Sequence, residues 1–446
     1  MRPSGGHAAD VVVVGSGPAG CVMARRLAEA GRDVVLLEAG AERATTRAGV
    51  LDIGPGSRVV TRYRAEPGNA VRGDGRPGRA DLELPRGRTL GGSGAVNGGY
   101  CTPARPSDLA RWGADWPRRY AVGLARATER LRPRLAPAGP VAARVAAAFP
   151  GRMSAIAQAR RDGRRVTAFD AWDPAGAGVR VVTGSAVREL VWAGGRPGGR
   201  CAGVVLDDDD EIAAREVILC AGTIGTALLL LASGIGPETG HPVGQSTQEH
   251  PEVLLDLPTD RVRGEAGAGR GDPLVPPPLL THVARLTLPG PKGPVEIEVR
   301  PYSVPMHRVI PGLESQPHRI GVALMNPVGR GRIRGGSTAD SGPHVVLADD
   351  PLDAAALEHA AGAVADGLGI PDGAPRPDPI RSTSQHLAGS ARIGEVVDDS
   401  GRVLGCEGLR VADASVFPTL PRCGPYLSVL AVAEDLAARV VHRDSW

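Results

Sequence analysis

Apolar runs alternate with polar punctuation from the start of the chain. Four valines at 11–14 form a short β-branched run of the buried parallel-strand type, leading straight into Gly15-Ser16-Gly17-Pro18-Ala19-Gly20. Residues 21–30 fit a helix, with Val22, Leu27 and Ala28 on one side and Arg25 and Arg26 on the other. A second strand, 33–37, ends at Glu38. Residues 41–86 are rich in Arg, Gly and Pro with little periodicity. They read as a long irregular connection, of a length usually functional or pinned by a ligand. Residues 105–150 look helical, with Trp112 and Trp116 as packing anchors.

From residue 179 the period shortens. Residues 179–182, 186–192 and 202–206 read as strands, the acidic run Asp207–Asp210 as a solvated turn, and 216–222 as a buried strand ending in glycine. An apolar helix follows at 223–233, closed by glycines 234 and 236. Residues 280–288, 295–304 and 319–325 alternate as antiparallel sheet does. The chain finishes with a helix at 353–368, a short strand at 409–412 and an apolar helix at 427–440.

The first βαβ unit is complete within about 30 residues, and each of its parts has a physical purpose. Gly15 makes the tight turn, Gly17 lets backbone approach a pyrophosphate, and Gly20 allows close packing of helix on strand. Glu38, 18 residues past Gly20, is placed to accept from ribose hydroxyls. A dinucleotide is expected here; the unit alone leaves NAD and FAD open. Glycines 91, 92, 94, 98 and 99 surround Asn97, marking a backbone that must approach something flat or crowded.

Composition narrows the classes. With 62 Gly and 40 Pro in 446 residues the chain lies near the disordered range, yet 42 % of residues are hydrophobic, enough for a core. No apolar stretch is long enough for a membrane span, and residues 1–10 lack a signal-peptide core, so a cytoplasmic protein is expected. A net charge of +3 without long basic runs argues against nucleic acid. The densest basic cluster, residues 160–165, reads as a solvated turn. The six cysteines show neither CxxC nor metal spacing, so no metal is expected.

Four stretches then occur in order: GSGPAG with Glu38, GRTLGGSGAVNGG at 87–99, GTIGTALLLLASGIGP at 222–237, and HLAGSARIG through VVD to GLRVADASVFP at 386–418. Together they resemble the glucose–methanol–choline (GMC) family of FAD-dependent oxidoreductases. The resemblance implies an α/β fold, a Rossmann-like FAD domain interleaved with a substrate domain built on an antiparallel sheet. The FAD domain would comprise 8–100, 175–240 and 386–446, and the substrate domain 101–174 and 241–385. It places the pyrophosphate on Gly15, Ser16, Gly17 and Gly20 and the adenosine ribose on Glu38, with Val187 at the adenine end. Arg88, Gly92, Asn97 and Gly98 would serve the flavin, as would Asp413, Ala414 and Pro425, with the last helix aiming its N-terminus at the ring. His386 falls on the family's base, which takes the substrate hydroxyl proton while hydride passes from the carbinol carbon to flavin N5.

The chain departs from the family pattern in places. The second His or Asn, six residues after the DASxxP proline, is here Gly424; Arg422, Cys423, Tyr426 and Gln385 lie near in sequence, and nothing in the spacing selects one. Val96 stands where covalently flavinylated members have His, so non-covalent FAD is expected. Ala227 replaces a usual proline. The chain is short for the family, and the stretch 91–100 resembles the mycofactocin-associated branch. That resemblance implies a dehydrogenase that re-oxidises a redox cofactor such as reduced mycofactocin and passes electrons to a respiratory acceptor. The alternatives are an oxidase that uses O2 on small alcohols, a GMC-fold lyase with structural FAD, an NAD enzyme and a non-catalytic flavoprotein.

Overall fold

A computed structural model of the chain describes residues 8–45, 50–67, 82–257, 278–290, 292–335, 342–370 and 380–443. Parts of the expected 41–86 connection and of the expected substrate segment 241–385 lie outside the described residues.

The valine run forms the strand Ala9–Val14 at the centre of a seven-stranded sheet. Val34–Glu38 pairs with it in parallel on one side, Glu211–Leu219 on the other, with Val12 level with both Val35 and Val217. Arg180–Thr183 extends the parallel set beyond Val34–Glu38, and Leu409–Val411 joins Glu211–Leu219. Cys201–Leu206 and Val187–Trp192 continue it as antiparallel strands. Strands buried on both faces need no alternation, and Val11, Val12, Val13, Leu36 and Leu37 are all buried. The helices Pro18–Glu29 and Tyr426–Arg443 pack against one another in the core of this unit. Leu430, Ala431, Val432 and Ala433 are fully buried, so this last helix is enclosed on every side at its middle.

A six-stranded antiparallel sheet runs in the order Ile380–Thr383, Pro251–Asp256, Arg319–Leu324, Val295–Pro301, His282–Leu288, Met153–Ala155. The alternation read at 280–325 forms its heart. The helices Pro351–Gly367 and Pro140–Ala148 supply Leu357, Val364 and Val145 to its own apolar cluster.

Three readings need correction. Residues 41–86 are not simply irregular: Val60–Pro67 and Leu82–Gly87 pair antiparallel, and His344–Leu347 adds to them in parallel. The partner strand lies far along the chain, so tertiary pairing outweighs a composition that locally reads as loop. Residues 105–150 break into Pro106–Leu109, Trp116–Leu131 and Pro140–Ala148, with glycine and proline between. Residues 160–165 form a hairpin, Arg160–Arg161 against Arg164–Arg165, and Arg165 is buried rather than solvated. The tryptophan anchors hold: Trp112 and Trp116 meet edge-on at 5.3 Å, and Trp112 also packs on Phe417. Among the described residues no helix is long and apolar enough to cross a membrane.

Candidate active site

The turn after the first strand is built for close approach. Gly15 has φ +96°, and a Cβ there would lie 2.6 Å from the Cys220 carbonyl oxygen; one at Gly20 would lie 1.9 Å from that of Gly15. Only glycine fits either position. Gly17 caps the helix Pro18–Glu29 with no side-chain cap and no acidic residue in the first turn, so no capping side chain among the described residues competes for its terminal N–H groups. The second glycine stretch crosses this point: a Cβ on Gly92 would sit 2.7 Å from the Gly17 Cα, and Gly91 N–H donates to the Ser16 carbonyl.

Glu38 closes the cradle. Its Oε2 accepts from Ser16 N–H (3.1 Å) and Ser16 Oγ–H (2.6 Å), and its Oε1 from Gly40 N–H (2.9 Å). Burial pushes its carboxyl above the usual range, while these bonds and the Arg88 charge pull it back. The loop ahead of Val187 lies alongside, since Ser185 N–H donates to the Glu38 carbonyl. An uncapped helix end facing a glycine cradle, with a carboxylate beyond, fits a dinucleotide pyrophosphate and ribose.

The segment around Asn97 and Gly98 is braced from the other side. Asn97 Oδ1 accepts from Gly99 N–H at 2.8 Å, and the Arg165 guanidinium donates to the Asn97 carbonyl and, at 2.8 Å, to that of Val50. A Cβ on Gly98 would meet the Tyr100 ring at 2.4 Å. Asp413 faces inward, its carboxylate accepting from Gly222 N–H (2.7 Å), Thr226 Oγ–H (2.6 Å) and Ser415 N–H (2.8 Å). Ala414 accepts from Gly389 N–H, so this loop holds the segment that follows His386. Pro425 immediately precedes the helix Tyr426–Arg443, whose Tyr426 Oη is buried without a partner.

His386 follows Gln385, a non-glycine residue at φ +64°. The His386 Nε2 lies 3.5 Å from where a Gly424 Cβ would be, so a side chain there would touch that nitrogen and the glycine leaves it uncovered. Two of the side chains near it in sequence are spent elsewhere, Arg422 on Asp108 at 2.6 Å and Gln385 on Arg86.

The polar partner comes from a distant segment that the sequence reading missed. His250 Nδ1 stands 3.0 Å from His386 Nδ1, the rings nearly perpendicular at 87°. The adjoining Glu249 Oε1 accepts the backbone N–H of both histidines, at 2.9 Å from His250 and 2.7 Å from His386. Its carboxyl is pushed up to about 7 by burial, against the pull of Arg86 and these N–H groups. Below the pair lies a charged group: Arg300 bonds Glu298 and Glu252 at 3.0 Å each and Ser384 Oγ at 2.7 Å, and Tyr302 donates to Glu252. Burial works against the Arg300 charge, but the two carboxylates outweigh it. Burial, then Arg300, lowers both histidines, His250 to about 3, so both rings are neutral near pH 7. The only sequence signal for this group was a Glu-His pair ahead of a strand.

Comparisons with known proteins bear on the family of the chain. Two models described as GMC oxidoreductase match residues 145–252 and 327–433, and one described as an NAD(P)-binding Rossmann-like domain matches 13–48. An uncharacterized GMC-type oxidoreductase of Rhodococcus erythropolis is 31 % identical over 96 % of this chain and 98 % of its own length. A 5-(hydroxymethyl)furfural oxidase of Methylovorus is 27 % identical over 52 % of this chain and 51 % of its own. Among solved structures, pyridoxine 4-oxidase from Mesorbium loti superposes with a TM-score of 0.77 at 22 % identity, over 97 % of this chain and 99 % of its own. The chain therefore belongs to the GMC oxidoreductase family, with FAD as its cofactor.

Proposed function

We propose that this protein removes a hydride and a proton from a CH–OH donor, with His386 as the base. One observation supports this most: a neutral imidazole, held by Glu249 and His250, with its Nε2 facing the space left by Gly424. FAD supplies the hydride acceptor. Gly15, Ser16, Gly17, Gly20 and Glu38 would bind its pyrophosphate and ribose, and Val187 its adenine end. Arg88, Gly92, Asn97, Gly98, Asp413, Ala414 and Pro425 would line the flavin. Val96 offers no nucleophile for a covalent link, which favours non-covalent FAD. The division into an FAD part (8–100, 175–240, 386–446) and a substrate part (101–174, 241–385) belongs to the same reading, as does a cytoplasmic location.

The donor we favour is a reduced, alcohol-like redox cofactor such as reduced mycofactocin, which makes the protein a dehydrogenase. The lack of a side chain at Gly424, where one would touch His386 Nε2, supports a bulky donor. The test is anaerobic mixing of the yellow protein with reduced mycofactocin, benzyl alcohol, pyridoxine and 5-(hydroxymethyl)furfural. Bleaching of the flavin, followed by slow recovery in air, is the expected result. Fast recovery with peroxide release would make it an oxidase. Turnover without bleaching would make it a lyase.

A further inference from the structure

We propose that His250 is a positioning residue that fixes the tautomer of His386, keeping the proton on His386 Nδ1 and the lone pair on Nε2. This rests on His386 being the base.

Two neutral imidazoles joined Nδ1 to Nδ1 share one proton, so one ring donates and the other accepts. If His250 donated, His386 Nε2 would have to bear a proton, and that nitrogen could not accept one from a substrate hydroxyl. The role of base requires the opposite arrangement. His250 Nδ1 meets the His386 ring, its Nε2 is buried with no hydrogen-bond partner among the described residues, and the nearby Met325 backbone favours a proton on the ring. His250 is fully buried, whereas His386 as a residue is only half-buried. The arrangement that serves a base puts the shared proton on His386 Nδ1, pointing inward, and the lone pair on Nε2, beside Gly424.

Glu249 makes the arrangement rigid. One carboxylate oxygen receives the backbone N–H of both histidines, so the two backbones are pinned to one point and the rings stay within reach of each other. When the substrate hydroxyl bond breaks, its proton goes to His386 Nε2 and its electron pair stays on the substrate oxygen. The ring becomes imidazolium while its Nδ1–H still donates to His250. The second nitrogen is thereby occupied from behind, and the missing side chain at Gly424 does not leave the base unoriented.

The test uses the FAD-loaded enzyme with its histidine ring nitrogens isotope-labelled for NMR, His386 being assigned by the signals lost in His386→Gln. The expected spectrum shows His386 protonated at Nδ1 and bare at Nε2; the reverse pattern overturns the proposal. In His250→Ala the signals should become those of mixed tautomers. His250→Asn, whose Oδ1 can accept the same proton, should restore the single tautomer. Flavin reduction by the best alcohol of the panel should fall roughly 100-fold at saturation in the alanine variant, with KM nearly unchanged, and recover to within about 10-fold in asparagine. Equal losses in both variants, with intact flavin binding, would mean a merely structural role. A flavin inert to every donor but with the expected tautomer would sink the proposed function and leave this inference standing; bleaching with the reversed tautomer would do the opposite.

Discussion

His250 and His386 stand 136 residues apart in sequence, yet their Nδ1 atoms meet at 3.0 Å. The contact joins the strand Pro251–Asp256 to the loop after Ile380–Thr383, which are neighbours in the antiparallel sheet. The base we propose, His386, is thus set beside one sheet while the glycine cradle is set by the other.

Both histidines are lowered in the folded state, His250 to about 3, so between there and 6.5 the unfolded chain binds more protons. Their contribution to stability is complete above about pH 6.5 and is lost as pH falls toward 3. Glu249, raised to about 7, has the opposite sign: its contribution is complete below about pH 4.5 and is lost as pH rises through 7. The two histidines make stability rise with pH, while Glu249 and the raised carboxyls of Glu38, Asp413 and Asp353 make it fall, so the prediction is a difference between proteins. His250→Asn should make the rise of Tm with pH less steep than in wild type, and Glu249→Gln should make it steeper. Thermal unfolding at a series of pH values measures it.

Gly424 has no heavy atom closer than 3.5 Å to its would-be Cβ, and that atom is His386 Nε2. Gly424→Asn should therefore fold and keep its flavin. It should speed flavin reduction by benzyl alcohol about 10-fold, by placing a second polar group at the reacting oxygen. It should also raise KM for any bulky donor. Rapid-mixing kinetics with both donors reads the two effects separately.

Gly20 shows no such tolerance. Its Cβ would overlap the Gly15 carbonyl oxygen at 1.9 Å, so Gly20→Ala must push the helix off its strand. Purified Gly20→Ala should be nearly free of FAD by absorbance. Glu38→Gln, which keeps the shape and removes the charge, should weaken FAD binding by roughly 10- to 100-fold.

Trp172 is fully buried and donates from Nε1 to Glu434 Oε1 at 2.8 Å. Trp172→Phe removes the donor and leaves a buried carboxylate oxygen short of a partner, at a cost of about 1–3 kcal/mol. The Tm should fall by a few degrees with flavin content unchanged.

Much of the fold was legible because the relevant signals are local. Val11–Val14, the glycines to Gly20 and Glu38 lie within one βαβ unit, and turn chemistry and burial fix them together. The alternation at 280–325 is equally local. Val60–Pro67 was missed because its partners, Leu82–Gly87 and His344–Leu347, are remote and its own composition resembles loop. His386 stood out because it opens a family motif. His250, Glu249 and Arg300 did not, because their meaning arises only when separate segments are brought to one sheet edge. Arg165 was misread for a related reason: Arg161, Asp162 and Arg164 beside it on the hairpin are exposed, while the Asn97 backbone and side chain and the Val50 carbonyl draw it inward.

The most direct measurement is anaerobic rapid mixing of FAD-loaded wild type and His386→Ala with the donor panel. Wild type should bleach in a single turnover with at least one alcohol or with reduced mycofactocin. His386→Ala should bind FAD equally and bleach at least about 100-fold more slowly. Equal bleaching rates in the two proteins would contradict His386 as the base.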